Sequence, residues 1–229
     1  MRANRTGFTI VELTLAIAFV GILLIVVVTT AVGLGRTYQK GMTLRDVNQA
    51  GREVSDSMRR DIAMASPSQL KVILLPTAAP ETARICTGEV SYLINFAEHL
   101  NNSAVSQQIS YDGEPVHLTR VADSGGVNCN TNASGQYSMV AQGENPQELL
   151  GSVDNDKQSL AVHDFRLESV NKVGDESQLL KLSVRIGTNQ VDSVDNDRCK
   201  NPNQTTANFD YCSLYDFETI IRAGYRSAK

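Results

Sequence analysis

The sequence predicts an α+β protein in which one long N-terminal helix packs onto a mainly antiparallel β-sheet. Two observations predict this class. Residues 8–66 combine an uncharged apolar run with a segment of helical periodicity, whereas residues 67–229 contain short β-branched and aromatic segments separated by polar turns. A chain of 229 residues is long enough for one globular domain with an appendage.

Residues 1–7 form a short polar and basic leader that contains Arg2 and Arg5, and the apolar run begins at once with Phe8. A secretory signal peptide also begins with positive charge, but its cleavage site follows the apolar region and is marked by small residues. No such site follows this run. We therefore expect the run to stay in the mature protein, with a cytoplasmic N-terminus and the rest of the chain across the membrane.

Residues 8–35 form the apolar half of the predicted helix. From Leu13 to Gly35 the chain has no charged residue, and this is about the length that crosses a bilayer as a helix. Glu12 is the only charge between Phe8 and Gly35. An ionisable side chain in an apolar helix costs of order 3 kcal/mol near the bilayer centre and less near its edge. Glu12 therefore needs a compensating partner, or it snorkels to the nearby interface.

Residues 36–66 form the amphipathic half of the predicted helix, which ends just before Pro67. Its apolar and small positions follow steps of three and four: Leu44, Val47, Gly51, Val54, Met58, Ile62 and Ala65. This spacing predicts a helix with one face on a core. Glycine weakens a helix by about 1 kcal/mol relative to alanine, so bends or local melting are expected at four positions. These are Gly21, Gly33, Gly35 and Gly41.

The head, residues 67–229, contains seven segments with strand composition. They are residues 70–75, 90–96, 108–111, 116–121, 160–170, 178–186 and 217–225. Tyr111-Asp112-Gly113-Glu114 predicts a tight hairpin turn, and residues 173–176 predict a second one. Residues 122–133 and 189–210 are polar and predict loops.

The four cysteines, Cys86, Cys129, Cys199 and Cys212, all lie beyond the apolar segment and include no C-x-x-C pair. The histidines are scattered, so the pattern favours disulfides in an oxidising compartment over a zinc site. Connectivity is open at this point, and buried unpaired thiols are the alternative. A bridge between Cys199 and Cys212 closes the shortest loop and would contribute on the order of 3 kcal/mol in the chain-entropy model.

Charge argues against a dedicated nucleic-acid surface. The net charge is −4, and −6 without Arg2 and Arg5, whereas nucleic-acid binding depends on basic patches. No catalytic grouping of Ser, His and Asp or of Cys and His stands out, and no phosphate-binding loop is present. A signal-anchored enzyme is therefore the least favoured class, and no cofactor is expected.

The string Thr6-Gly7-Phe8-Thr9-Ile10-Val11-Glu12-Leu13 with the uncharged stretch behind it resembles the cleavage and methylation motif of type IV prepilins. The resemblance implies that a membrane-embedded prepilin peptidase cuts between Gly7 and Phe8, and that the new Phe8 amine is N-methylated. It also implies that Glu12 pairs with that amine on a neighbouring subunit during assembly. The implied fold is a pilin fold, with residues 8–35 in the membrane before assembly and in the filament core afterwards.

Further along, residues 35–39, 51–62, 162–167 and 217–222 resemble the larger minor pilins of the PilW and GspJ-like group. This second resemblance implies a minor type IV pilin that supports pilus assembly, adhesion or motility. Its expected partners are other pilin subunits, the prepilin peptidase and the assembly platform. The alternative is a pseudopilin of a type II secretion system. The mature protein would then lie in a periplasmic pseudopilus instead of an extracellular pilus.

Two near-repeats, residues 152–156 and 193–197, carry alternating Asp and Asn oxygens that suit calcium. Asp195 and Asp197 are the candidate ligands. Neither repeat has the glycine and the distal bidentate Glu of an EF-hand loop, so solvated acidic turns are the preferred interpretation.

Overall fold

A computed structural model describes residues 9–76, 81–100, 108–151, 159–173, 177–189, 194–195, 198–200 and 212–224. The chain divides into two compact units, Met1–Met42 and Thr43–Lys229. The described part of the first unit is the beginning of one long helix, and the second unit holds the end of that helix and all the strands. The predicted class, α+β with a long apolar N-terminal helix and a mainly antiparallel sheet, is confirmed.

Helix α1 spans Ile10–Met64, close to the predicted range of 8–66. It runs without interruption through Gly21, Gly33, Gly35 and Gly41, so the expectation of local melting at these glycines was wrong. The chain leaves the helix before Pro67, which lies in the following turn. A short helix, α2, spans Ala97–Leu100, and a 3-10 turn spans Val127–Cys129.

The strands follow in chain order and form two sheets and two short ribbons. They are β1 Lys71–Leu75, β2 Thr82–Cys86, β3 Val90–Asn95, β4 Ser110–Tyr111, β5 Glu114–Pro115, β6 Leu118–Ala122, β7 Glu144–Glu148, β8 Leu160–Val173, β9 Ser177–Thr188, β10 Val194–Asp195, β11 Arg198–Cys199 and β12 Leu214–Ala223. One sheet has the order β1-β2-β3-β6-β7 and the other the order β12-β9-β8. Every strand pair among these described elements is antiparallel.

The predicted turn at Asp112-Gly113 joins β4 and β5, whose register pairs Tyr111 with Glu114. Asp112 and Gly113 both have positive φ, 51° and 88°, as a type I′ hairpin requires. The second predicted turn falls on residues 174–176, which lie outside the described residues, although Val173 pairs with Ser177 on either side of it.

One hydrophobic core joins the two sheets to the end of α1. Val47, Val54, Met58 and Ile62 of the helix are fully buried there, so the predicted apolar stripe is largely confirmed. Leu44 is the exception, since 47% of it is exposed. Gly51 is buried because the Phe217 ring of β12 lies against it: a Cβ at Gly51 would be 2.0 Å from Phe217 Cε2. The backbone N–H of Gly224 donates to the carbonyl of Ala65 at 3.0 Å and fixes the end of β12 beside the end of the helix.

Candidate functional site

The first turn of α1 is closed by a capping box between Thr9 and Glu12. The Glu12 Oε2 atom accepts from the Thr9 backbone N–H and from the Thr9 hydroxyl, both at 3.0 Å. The Glu12 N–H in turn donates to Thr9 Oγ1 at 3.2 Å. This reciprocal arrangement satisfies donors that a helix N-terminus otherwise leaves unpaired. Gly7 and Phe8, the predicted cleavage and methylation positions, lie outside the described residues.

The T-x-x-E spacing of Thr9 and Glu12 is a sequence signature of a helix start, and our sequence interpretation did not use it. It gives Glu12 a structural role within its own chain. The same carboxylate is the residue to which the prepilin resemblance assigns subunit assembly. A test of Glu12 must therefore separate its charge from its capping.

The large apolar side chains between Ile10 and Leu34 are 50–82% exposed. Over its most apolar window α1 has a mean hydropathy of 2.9, and none of that window is buried. By length and composition the helix is able to cross a membrane, as an anchor or as a signal segment. So much exposed apolar surface is unfavourable in water, and the segment therefore requires a lipid or protein environment.

Threonine hydroxyls in this segment are satisfied within the helix itself. Thr14 donates to the carbonyl of Val11, and Thr30 donates to that of Val26 at 2.7 Å. Thr29 and Thr37 donate in the same way to the preceding turn. Because apolar surroundings offer no water, polar groups there must find their partners inside the segment. These four threonines can therefore lie in an apolar environment without leaving a hydroxyl unpaired.

In the second unit, α1 carries a buried polar junction centred on Asp61. Arg120 of β6 donates to Asp61 through Nε at 2.8 Å and Nη2 at 3.3 Å. The Tyr92 hydroxyl of β3 donates to Asp61 Oδ2 at 2.5 Å, and it lies 3.0 Å from Ser57 Oγ. Burial and the bond to Asp61 raise the pKa of Tyr92. The bond to Asp61 also raises the pKa of Arg120, so the Arg120 guanidinium stays charged at neutral pH.

Sequence reasoning missed this junction because Asp61 was not separated from the other charges of the helix. A signal was present. Asp61 continues the seven-residue spacing of Val47 and Val54, two buried positions, and side chains at this spacing share a helix face. A carboxylate on a buried face predicts a cationic or hydrogen-bonding partner on the element packed against it.

All four cysteines are paired. Cys86 of β2 is bonded to Cys129 of the 3-10 turn, and Cys199 of β11 is bonded to Cys212 just before β12. The cysteine pattern favoured disulfides, and the structure confirms this. None of the four cysteines is an unpaired thiol. The shortest closure, Cys199 to Cys212, is one of the two bridges.

Arg84 lies two residues before Cys86 on β2 and is fully buried. It donates to two backbone carbonyls, Asn128 O at 3.0 Å and Ser138 O at 2.7 Å. The Tyr137 ring covers its guanidinium with 5.5 Å between Cζ and the ring centroid. Burial lowers the pKa of Arg84 to about 10. The side chain therefore remains a cation at neutral pH, stabilised by carbonyl dipoles and an aromatic face.

The calcium candidates cannot be placed as a site. Asp197 lies outside the described residues, and Asp195 is described only by its backbone in the β10–β11 ribbon. Among the described residues no group of three or more His, Cys, Asp or Glu side chains is arranged to hold a metal ion. His117 and His163 instead face backbone carbonyls, those of Leu160 at 2.6 Å and Thr188 at 3.1 Å.

Comparison with known proteins found no family model, no curated protein and no solved structure that matches this chain. The function therefore has to be inferred from the residues of the chain itself.

Proposed function

We propose that this chain is a minor type IV pilin: a filament subunit that is cut after Gly7, methylated at Phe8, and assembled through the first part of α1. The observation that carries the proposal is the combination of the Gly7-Phe8 junction, Glu12 five residues after Gly7, and an uncharged helix whose apolar side chains are exposed. The resemblance to prepilins supplies the processing steps. The head would be the part displayed outside the cytoplasm.

The exposed apolar helix supports this proposal by its chemistry. Its side chains need lipid before assembly and other apolar helices afterwards, because no part of its own unit covers them. Glu12 is the one ionisable residue in the described segment up to Gly35. Cleavage would create an α-amine at Phe8 with an ordinary pKa of about 8. Between subunits, that cation and the Glu12 carboxylate would neutralise each other in an apolar filament core.

The disulfides agree with the proposed location of the head. Both bridges lie after the apolar segment, and structural disulfides persist in the periplasm and outside the cell. The basic leader would keep the N-terminus in the cytoplasm, where the peptidase site is expected.

The direct test is mass spectrometry of surface filaments sheared from cells that express the chain. We expect a mature N-terminus at Phe8 with one added methyl group. A chain that still begins before Gly7, or one cut after the apolar segment, would contradict the proposal. Recovery of the Phe8 form from the periplasm and not from surface filaments would assign the chain to a secretion pseudopilus instead.

Glu12 is tested with a pair of substitutions. Glu12→Gln retains an acceptor for the capping box but removes the charge, whereas Glu12→Ala removes both. If the charge recruits subunits, both variants are lost from sheared filaments while their amounts in the membrane stay normal. If Glu12 acts only as a helix cap, Glu12→Gln enters filaments normally and only Glu12→Ala is impaired. The latter result would refute the assembly role.

A further inference from the structure

The β6–β7 loop, residues 123–143, stands out among the described residues of the head by its length and composition. It is long for a connection between two neighbouring antiparallel strands, and ordered loops of this length are usually functional. From residue 124 to residue 143 the sequence contains no Asp, Glu, Lys, Arg or His, although a fifth of the whole chain is charged. The loop instead consists mainly of Asn, Gln, Ser, Thr and Gly.

The base of the loop is held rigidly to the five-stranded sheet. The Asp123 carboxylate accepts from the backbone N–H groups of Val127 and Asn128 at 2.8 and 3.1 Å and from the Ser91 hydroxyl at 2.7 Å. The Asn128 side chain donates to the carbonyl of Gln142 at 2.6 Å and accepts from the Gln142 N–H at 3.0 Å. These bonds join the two ends of the loop.

A disulfide and two hydrogen bonds hold the same base from β2. The Cys86–Cys129 disulfide fixes one side of the loop, while Arg84 binds carbonyls on both of its arms. On the far arm, Met139 and Ala141 bond to the backbone of Ser110 at 2.9 Å each. Such anchoring lowers the conformational entropy that a loop loses when it binds a ligand.

The tip of the loop, residues 130–136, is exposed throughout. Its backbone is closed by Asn132, whose Oδ1 accepts from the N–H groups of Ser134 and Gln136 at 2.9 and 3.0 Å. The hydroxyls of Thr131 and Ser134 and the side-chain amide of Gln136 have no hydrogen-bond partner among the described residues. The tip thus offers neutral donors and acceptors to a ligand on a backbone that Asn132 holds closed.

Tyr137 stands next to this tip and is half-exposed, with its ring held over the Arg84 guanidinium. Neutral amides and hydroxyls beside a fixed aromatic ring suit a ligand rich in hydroxyl groups and without charge, because each hydroxyl both donates and accepts. An anionic polymer would find no cation on the tip, and a membrane surface would find neither a basic patch nor a large apolar one.

We propose that the tip of the β6–β7 loop, with Tyr137, binds uncharged carbohydrate. The proposal concerns the ligand of the head and does not depend on entry into a filament. It rests on a loop whose base is anchored to the sheet and whose exposed tip, residues 130–136, carries only neutral side chains, most of them able to form hydrogen bonds.

The test uses the full chain reconstituted in phosphatidylcholine vesicles, which carry no sugar headgroups. The probes are immobilised neutral oligosaccharides of glucose, galactose, mannose and N-acetylhexosamines, with heparin and sialylated glycans as anionic comparisons. We expect binding to at least one neutral oligosaccharide, with a change of less than about twofold between low and high salt because no charge is involved. No binding to any neutral glycan, or salt-sensitive binding to the anionic probes alone, would overturn the proposal.

The matched variants separate the loop from the rest of the head. We expect Thr131→Ala, Ser134→Ala and Gln136→Ala together to weaken binding by about tenfold or more, since several neutral hydrogen bonds are lost at once. Gln147→Ala, an exposed amide on β7 outside the loop, should bind as the parent does. Tyr137→Phe keeps the ring over Arg84 and should retain more binding than Tyr137→Ala. Equal binding by the triple variant and the parent would show that the tip is not the site.

Discussion

The two parts of helix α1 obey different rules although the helix itself is continuous. In residues 10–42 the large apolar side chains are exposed on every side, and the threonine hydroxyls bond back to the helix. From Thr43 to Met64 one face is buried, and it includes polar residues such as Ser57 and Asp61 beside Val54 and Met58. The first part is suited to a uniform apolar environment, whereas the second part is specific for one protein surface.

This difference separates two kinds of stability. The apolar part is stabilised by any environment that removes its side chains from water, and lipid and neighbouring helices are interchangeable in this respect. The packed part depends on particular contacts. The buried Asp61 carboxylate requires Arg120 as its partner, and the Phe217 ring requires a glycine at position 51 because a Cβ there would overlap with it. In the first part, a substitution should therefore be tolerated whenever the new side chain is also apolar. In the second part, it should be tolerated only when the new side chain keeps the shape and the partners of the old one.

The largest effect is expected for Asp61→Ala. The change removes the carboxylate partner of Arg120 and leaves the Tyr92 hydroxyl with Ser57 alone. Breaking such a pair costs up to about 5 kcal/mol when both charges are buried. Since Arg120 is partly exposed, we expect a loss of about 3 kcal/mol in the free energy of unfolding, measured by urea titration of the full chain in micelles. Asp56→Ala, at an exposed position of the same helix, is the control, and an equal loss there would disprove the role of the junction.

A smaller effect on the free energy of unfolding is expected at Gly51 of α1. Gly41 of the same helix is the control, because the same substitution there should not destabilise the protein. Gly51→Ala places a methyl group into the Phe217 ring and should destabilise the head by about 2 kcal/mol. At Gly41 the space around a Cβ is open, so Gly41→Ala should be neutral or stabilising by up to about 1 kcal/mol. The same urea titration compares the two variants. Phe217→Leu in the Gly51→Ala background should recover part of the loss, and an absence of recovery would place the strain elsewhere.

The smallest expected effect is a pH dependence of the free energy of unfolding that is caused by Asp123. Burial alone would raise the pKa of this carboxyl, but the bonds from Ser91, Val127 and Asn128 outweigh burial and lower it. The unfolded chain therefore binds the proton more tightly than the folded one, with a pKa of about 3.9 in the unfolded state. The stabilisation is present above that pH and is lost as pH falls through the lower folded value.

We expect the stability difference between the parent and Asp123→Asn to shrink as pH falls below about 4. Thermal unfolding of both proteins across this range measures it. Glu144→Gln, an exposed neighbour at the start of β7, is the control for general charge effects. A difference that stays constant with pH would show that the Asp123 carboxylate contributes nothing through its charge.

Sequence patterns predicted those strands whose composition follows the rules and missed those whose composition does not. The long hairpin of β8 and β9 is rich in branched and aromatic residues, and it was predicted within a few residues at each end. Strand β7, Glu144–Glu148, contains Asn145 and Pro146 and was not among the predicted strands. Such residues are depleted from strand interiors but are allowed at a sheet edge, where β7 lies. Strand β2 was missed because its centre is Arg84, a residue that is rarely buried.

The properties of the N-terminal segment could be predicted from the sequence because they depend on residues that are close together in the chain. Helix length, apolar exposure and the spacing of Thr9 and Glu12 are local properties, and the structure adds only the geometry of the capping box. The proposed processing and assembly steps remain predictions that the filament experiments will decide.

The amino-acid sequence by itself determined that a long apolar helix precedes an antiparallel head, because periodicity, length and composition act over a few neighbouring residues. Only the tertiary structure decided that Asp61 meets Arg120, that Gly51 admits Phe217, and that Arg84 with the Cys86–Cys129 bridge anchors the β6–β7 loop. These partners lie far apart in the chain. Their pairing depends on sheet order and register, which local patterns do not encode.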